Sequence, residues 1–147
     1  MSSKIDILKA WNELGNIDPL SDANADYLSD DFQNLDKDGN VLMDKQAYLG
    51  MGKLLAASFD DMKYVFDDFN EESDGVIANF HFEGTFTRDI DLSAMGLGIA
   101  PATGKKVVWP QASAKFKVEG DKIVSIQEIT GGMQWFLAPM GVKLPSA

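Results

Sequence analysis

The stretch from Gly75 to Arg88 limits this chain's folding options more than any other. Ala78, Phe80, Phe82, Gly84 and Phe86 alternate with Asn79, His81, Glu83 and Thr85. Successive side chains of a strand point to opposite faces, so this spacing predicts a long strand with one apolar and one polar face. Similar runs cover Lys63 to Glu72, Lys106 to Glu119 and Lys122 to Ile129. The turn signals Glu72-Ser73-Asp74-Gly75 and Glu119-Gly120-Asp121 join three of them.

The part before Asp60 has a different period. Ser3 and Asp6 form a start similar to a capping box, and Ile5, Leu8, Trp11 and Leu14 follow at helical spacing up to Gly15. This predicts a first helix near 3–14 with Trp11 on its buried face. Pro19 to Tyr27 reads as a turn into a short second helix. Phe32 to Leu35 and Val41 to Met43 flank the turn Asp36-Lys37-Asp38-Gly39-Asn40 as a small hairpin. Asp44 caps a third helix near 45–58, with Ala47, Tyr48, Met51 and Leu55 on one face. Helices followed by antiparallel strands read as an α+β domain with the helices on one face of the sheet. Asp89 to Pro101, "DIDLSAMGLGIAP", is a long connection of the kind that is often functional.

The 147 residues, 45% of them hydrophobic, suit a single domain spanning 1–147 with a real core. The net charge of −10 lacks the basic footprint that nucleic acid or an anionic membrane requires. The absence of cysteine removes disulfides, thiolate metal sites and cysteine nucleophiles, and fits a cytoplasmic setting. The N-terminus has an early Asp6 and no long apolar run, so it does not read as a signal peptide.

Several motifs fail on spacing. Asp36 to Asn40 places Gly39 and Ala47 where a calcium loop needs other residues, and reads as a turn. Gly98 to Lys106 has one residue too many between its glycines for a phosphate loop, and Lys106 stands at the hydroxyl position. One histidine and scattered acids give no metal set, so neither a metal nor a cofactor is expected.

What remains is the lone His81 with Glu83 two residues on. A carboxylate beside an imidazole orients it and suits general acid–base chemistry, and the same pair equally suits a solvated or subunit-facing strand surface. Asn79, Gln111 and Gln127 are candidates for holding a substrate. Ser113, Glu128 and Gln134 also lie in apolar settings, where each could line a cavity or face outward. Trp11, Tyr27, Met51, Met95, Trp109, Met133 and Trp135 suit either an apolar ligand pocket or an ordinary core.

Four local strings, in order, carry a family resemblance. They are Gly84-Thr85-Phe86-Thr87 with Asp89; Pro101-Ala102-Thr103-Gly104-Lys105-Lys106; Phe116-Lys117-Val118 with Gly120-Asp121-Lys122-Ile123; and Gly131-Gly132 through Met140-Gly141-Val142. Together they resemble the SnoaL-like polyketide cyclases of the nuclear transport factor 2-like superfamily. The resemblance implies a cone: a curved, mostly antiparallel sheet with three to four N-terminal helices on its concave face, a deep apolar pocket for a small apolar molecule, and a homodimer through the sheet. It also implies a buried carboxylate that moves a proton in isomerase, cyclase or hydrolase chemistry. Two positions depart from the family pattern. Its histidine falls on Phe86 and its acid–base aspartate near Gly131 or Gly132. The ester-cyclase reaction is therefore not carried over. A relocated His81–Glu83 site, a non-catalytic ligand-binding domain and a dimerisation module remain as the alternatives.

Overall fold

The computed structural model describes residues 4–18, 21–93 and 96–142. Helix α1 spans Lys4–Ile17 and runs through Gly15, the stop expected from sequence. It continues because Asn16 anchors its last turn. The Asn16 amide donates to the Tyr64 carbonyl at 3.0 Å and accepts from the Tyr64 N–H at 2.7 Å, as a neighbouring strand would. The second helix is a 3-10 segment, Asp22–Tyr27, capped by Ser21. Strands β1 (Leu28–Leu35) and β2 (Val41–Asp44) form the hairpin, and Asp36 Oδ1 accepts from the N–H groups of Asp38 and Asn40 across its turn. Helix α2 (Lys45–Ser58) starts where Asp44 Oδ1 accepts from Ala47 N at 2.9 Å.

The long strands follow as β3 (Phe59–Glu71) and β4 (Gly75–Phe86). The connection after them holds the two-residue strands β5 (Ile90–Asp91) and β6 (Ile99–Ala100), which pair with each other. The expected strand from Lys106 to Glu119 is split into β7 (Lys106–Val108) and β8 (Ala112–Glu119). Pro110, which has no N–H to donate, lies in the break. Strand β9 (Lys122–Glu128), a short helix α3 (Met133–Leu137) and a 3-10 turn, Ala138–Met140, complete the described chain.

The main sheet runs β2-β1-β9-β8-β4-β3, with β7 also paired to β4. Among the described residues only β1 and β9 are parallel neighbours; the remaining pairs are antiparallel. Two bulges bend β3, at Asp61 (φ 55°) and Asp68 (φ 52°), where the register against β4 slips. Such bulges tighten the twist and curl a long strand. The first bulge also needs Gly84 opposite, since a Cβ there would meet Met62 Cα at 3.2 Å and Asp60 O at 3.3 Å.

The apolar face of β4 packs into two clusters. One joins Leu8, Phe32, Val76, Ala78, Phe80 and Phe116; the other joins Leu55, Phe59, Phe86, Trp109 and Leu137. Phe86, at the position where the family resemblance puts a histidine, is fully buried and stacks on Phe59 at 4.7 Å. No helix among the described residues is long and apolar enough to cross a membrane.

Candidate functional site

A cavity of about 170 Å³ lies among α1, α2 and the inner face of the sheet. Its lining is rich in aromatic rings: Trp11 from α1, Tyr48 from α2, Tyr64 and Phe66 from β3, Phe80 and Phe82 from β4, Phe116 from β8 and Trp135 and Phe136 from α3. Trp11 packs against Tyr48, Phe66 and Phe116, with ring centroids 6.1–6.4 Å apart. Reciprocal indole bonds fix the α3 end. Trp135 Nε1 donates to the Pro110 carbonyl at 2.8 Å, and Trp109 Nε1 donates to the Phe136 carbonyl at 2.9 Å.

Asn12, Ser21, Asn24, Asn34, Lys53 and Glu128 bring polar groups into this wall. Asn34 is buried and spends its amide N–H on the Ile126 carbonyl at 3.1 Å. Asn12 and Glu128 also line the cavity, and Asn12 Oδ1 and Glu128 Oε2 are buried with no hydrogen-bond partner. Burial pushes the Glu128 carboxyl up to about 7, with the charge of Asp36 adding to the effect. Asp36 stays ionised because N–H groups of its own turn, foremost that of Asn40, hold its carboxyl below the usual range. Burial likewise raises the Tyr64 hydroxyl to about 12 and pushes Tyr48 higher still, with Tyr64 and Glu128 adding to the Tyr48 shift. The cavity lining therefore combines two phenols whose titration is pushed up and a carboxyl raised toward neutrality, with Lys53 in the same lining.

The structure separates the residues singled out from sequence. Trp11 and Met51 line the cavity. His81 and Glu83 do not: Phe80 and Phe82 occupy the inner face of β4, so the residues between and after them project from the outer face. There His81 Nε2 meets Glu83 Oε2 at 3.2 Å, with side chains 24% and 28% exposed. The same face holds Asn79, which donates to Asp68 at 2.9 Å. Gln111 donates to Asp67 at 3.1 Å, and Gln127 reaches the Lys37 carbonyl at 3.4 Å. Each amide is thus engaged in a surface contact away from the cavity. Tyr27 packs against the first cluster, and Trp109 is 1% exposed inside the second. Met95 and the side chain of Met133 lie outside the described residues.

Sequence reasoning placed Glu128 and its neighbour Gln127 in one apolar string without deciding which faces in. A bulge decides it. Lys117 pairs with Ser125 and Val118 with Ile123, so Val124 is an extra residue in β9. Ile123 and Ile126 both reach the core, and Glu128 follows Ile126 onto the inner face. Simple alternation from Ile123 would have turned Gln127 inward instead. Asn12 and Tyr64 carried no local signal, being a polar residue on an amphipathic helix and a tyrosine in an acidic strand.

The sequence matches the SnoaL-like domain family over residues 8–126. No curated protein sequence matches it. Among solved structures, AclR, a candidate hydroxylase from Streptomyces galilaeus, is 19% identical with a TM-score of 0.72, and 97% of each chain is covered. A candidate SnoaL-like polyketide cyclase from Jannaschia sp. CCS1 is 12% identical with a TM-score of 0.63, covering 84% of this chain and 82% of that one. A protein of ketosteroid isomerase-like fold from Catenulispora acidiphila is 14% identical with a TM-score of 0.62, covering 94% of each. At these identities the three likenesses concern the fold alone. The match over most of the sequence and the curved, mostly antiparallel sheet together place this chain in the SnoaL-like domain family.

Proposed function

We propose that the cavity binds a small, mostly apolar aromatic molecule and that Glu128 transfers a proton at an activated carbon or oxygen of it. The observation that carries this reading is Glu128 in the lining of a cavity rich in aromatic rings, with its Oε2 buried and without a hydrogen-bond partner. A carboxyl near 7 is divided between acid and base at neutral pH, which is the condition for both taking and returning a proton. In the step proposed, the Glu128 carboxylate removes a proton next to a carbonyl. The electron pair passes to the carbonyl oxygen as an enolate, and the carboxyl returns the proton to carbon or oxygen. Tyr48 and Tyr64, held protonated, are the hydroxyl donors available to that oxygen. The reaction class is isomerisation or cyclisation through an enolate.

The test uses 2-tetralone, a bicyclic ketone with acidic α-hydrogens, in deuterium oxide. Wild type should speed α-hydrogen exchange well above buffer, and Glu128→Gln should remove the acceleration. Binding without acceleration would leave a non-catalytic ligand-binding domain.

The outer sheet face carries the second part of the reading. The half-buried His81 and Glu83 side chains, beside the exposed Val108, belong to a face suited to a second copy of the chain. Here the His81–Glu83 pair serves a homodimer interface. Sedimentation of wild type and a Val108→Glu variant tests it: a wild-type monomer would sink the interface.

A further inference from the structure

Asn12 is the other side chain whose buried polar atom lacks a partner. Among the described residues, the buried side-chain nitrogen and oxygen atoms without a hydrogen bond are Asn12 Oδ1 and Glu128 Oε2. Both residues line the same cavity, yet they come from α1 and β9. Glu128 has a use in proton transfer; Asn12 has none in that scheme. A buried amide oxygen without a donor is costly, and a ligand donor in the cavity would relieve that cost.

We infer that Asn12 is a specificity-determining residue, whose side-chain amide takes a hydrogen bond from a second hydroxyl or N–H group of the ligand, apart from the proton handled by Glu128. The inference rests on reading the cavity as a ligand site. Its geometry favours a fixed anchor. Asn16, one turn further along α1, locks the helix to β3 through both of its amide bonds to Tyr64. Trp11, the preceding residue, is wedged among Tyr48, Phe66 and Phe116. The amide is thus carried on a helix that is held in place, which is what orientation of a ligand requires.

The size and lining of the cavity set the ligand class. A dry apolar cavity of about 150 Å³ accommodates benzene, so a cavity of about 170 Å³ suits one or two fused rings. The aromatic wall favours a flat ring system. The ligand assigned is a fused bicyclic aromatic, or its partly reduced ketone, with polar donors at two separated positions.

Calorimetric titration with 2-naphthol and with 2,6- and 2,7-dihydroxynaphthalene tests the assignment. Wild type should bind at least one diol about tenfold more tightly than 2-naphthol. In Asn12→Leu, which keeps the volume, and Asn12→Ala, which cannot overpack, that gap should close to within about twofold. Binding of 2-naphthol itself should change less than about twofold. In wild type the Asn12 side-chain amide resonance should move with the preferred diol and stay in place with 2-naphthol, a readout independent of how the variants fold. A diol preference that survives in the variants, an unmoved amide resonance, or no preference in wild type would each overturn the inference. Failure of the tetralone exchange together with an Asn12-dependent diol preference would sink only the proton-transfer reading. Absence of binding by all three compounds at millimolar concentration would overturn both.

Discussion

Gly132 lies beside Glu128, so that a methyl group on the glycine would stand in van der Waals contact, at 3.5 Å, with the carboxylate Oε2. Gly131 and Gly132 turn the chain out of β9 with φ values of 101° and 100°, a region that L side chains rarely adopt. The corner where the family resemblance places an aspartate is thus built from residues without side chains, beside an inward-facing glutamate. Gly132→Ala should destabilise the protein by about 1–2 kcal/mol through backbone strain. Because the added methyl group further dehydrates the carboxyl, it should also raise the Glu128 titration midpoint. Urea unfolding reads the first effect and carbon-13 NMR of labelled glutamate reads the second.

The raised pKa of Glu128 makes stability depend on pH in a defined direction. Its folded-state pKa, about 7, lies above the ordinary glutamate value of 4.5. Between those values the native state holds more protons than the unfolded chain, so stability falls as pH rises through that window. The penalty is complete above pH 7 and absent below about 4.5. Allowing for solvent screening of a carboxyl that is only partly buried, the Glu128 contribution to the loss is about 1–2 kcal/mol. Glu128→Gln should recover that amount at pH 8 and little at pH 4.5. Denaturant midpoints of both proteins at the two pH values measure it, and an identical pH trend in the variant would contradict the assignment.

Because His81 and Glu83 occupy the outer face of β4, their removal should leave the cavity intact. His81→Ala and Glu83→Ala should bind 2-naphthol within about twofold of wild type, whereas Glu128→Gln should alter the pH dependence of that binding. A large loss of affinity in His81→Ala would return the pair to the site.

Trp109 joins the sheet to α3 from inside the second cluster. Trp109→Phe removes the indole donor to the Phe136 carbonyl and part of a fully buried ring. The lost bond and the residual void together predict about 2–3 kcal/mol of destabilisation, read as a lower unfolding midpoint.

Asn16 makes a smaller and more local contribution. Asn16→Ala should cost about 1–2 kcal/mol by leaving the Tyr64 N–H and carbonyl without their side-chain partner. Hydrogen exchange should quicken at Tyr64 N–H more than in β8 or β9.

The sequence by itself determined the order and type of the main elements. The alternation in β4, the Asp44 cap and the helical spacing of Tyr48, Met51 and Leu55 are local signals, and α2 presents those three residues to the cavity as that spacing required. It also determined that the inner face of β4 would be apolar, because period two survives wherever a strand keeps its register. Other features lay beyond local reading. Helix α1 passes Gly15 because Asn16 finds Tyr64, a partner 48 residues away. The strand break at Pro110 is set by pairing, since β7 and β8 lie on different stretches of β4. The acid of the proposed site carries no local signal, since an extra residue at Val124 reverses the alternation of β9 and turns Glu128, rather than Gln127, toward the cavity. A bulge is defined by pairing with a neighbouring strand, so only the tertiary structure could decide which of two adjacent polar residues would be dehydrated and which would meet the surface.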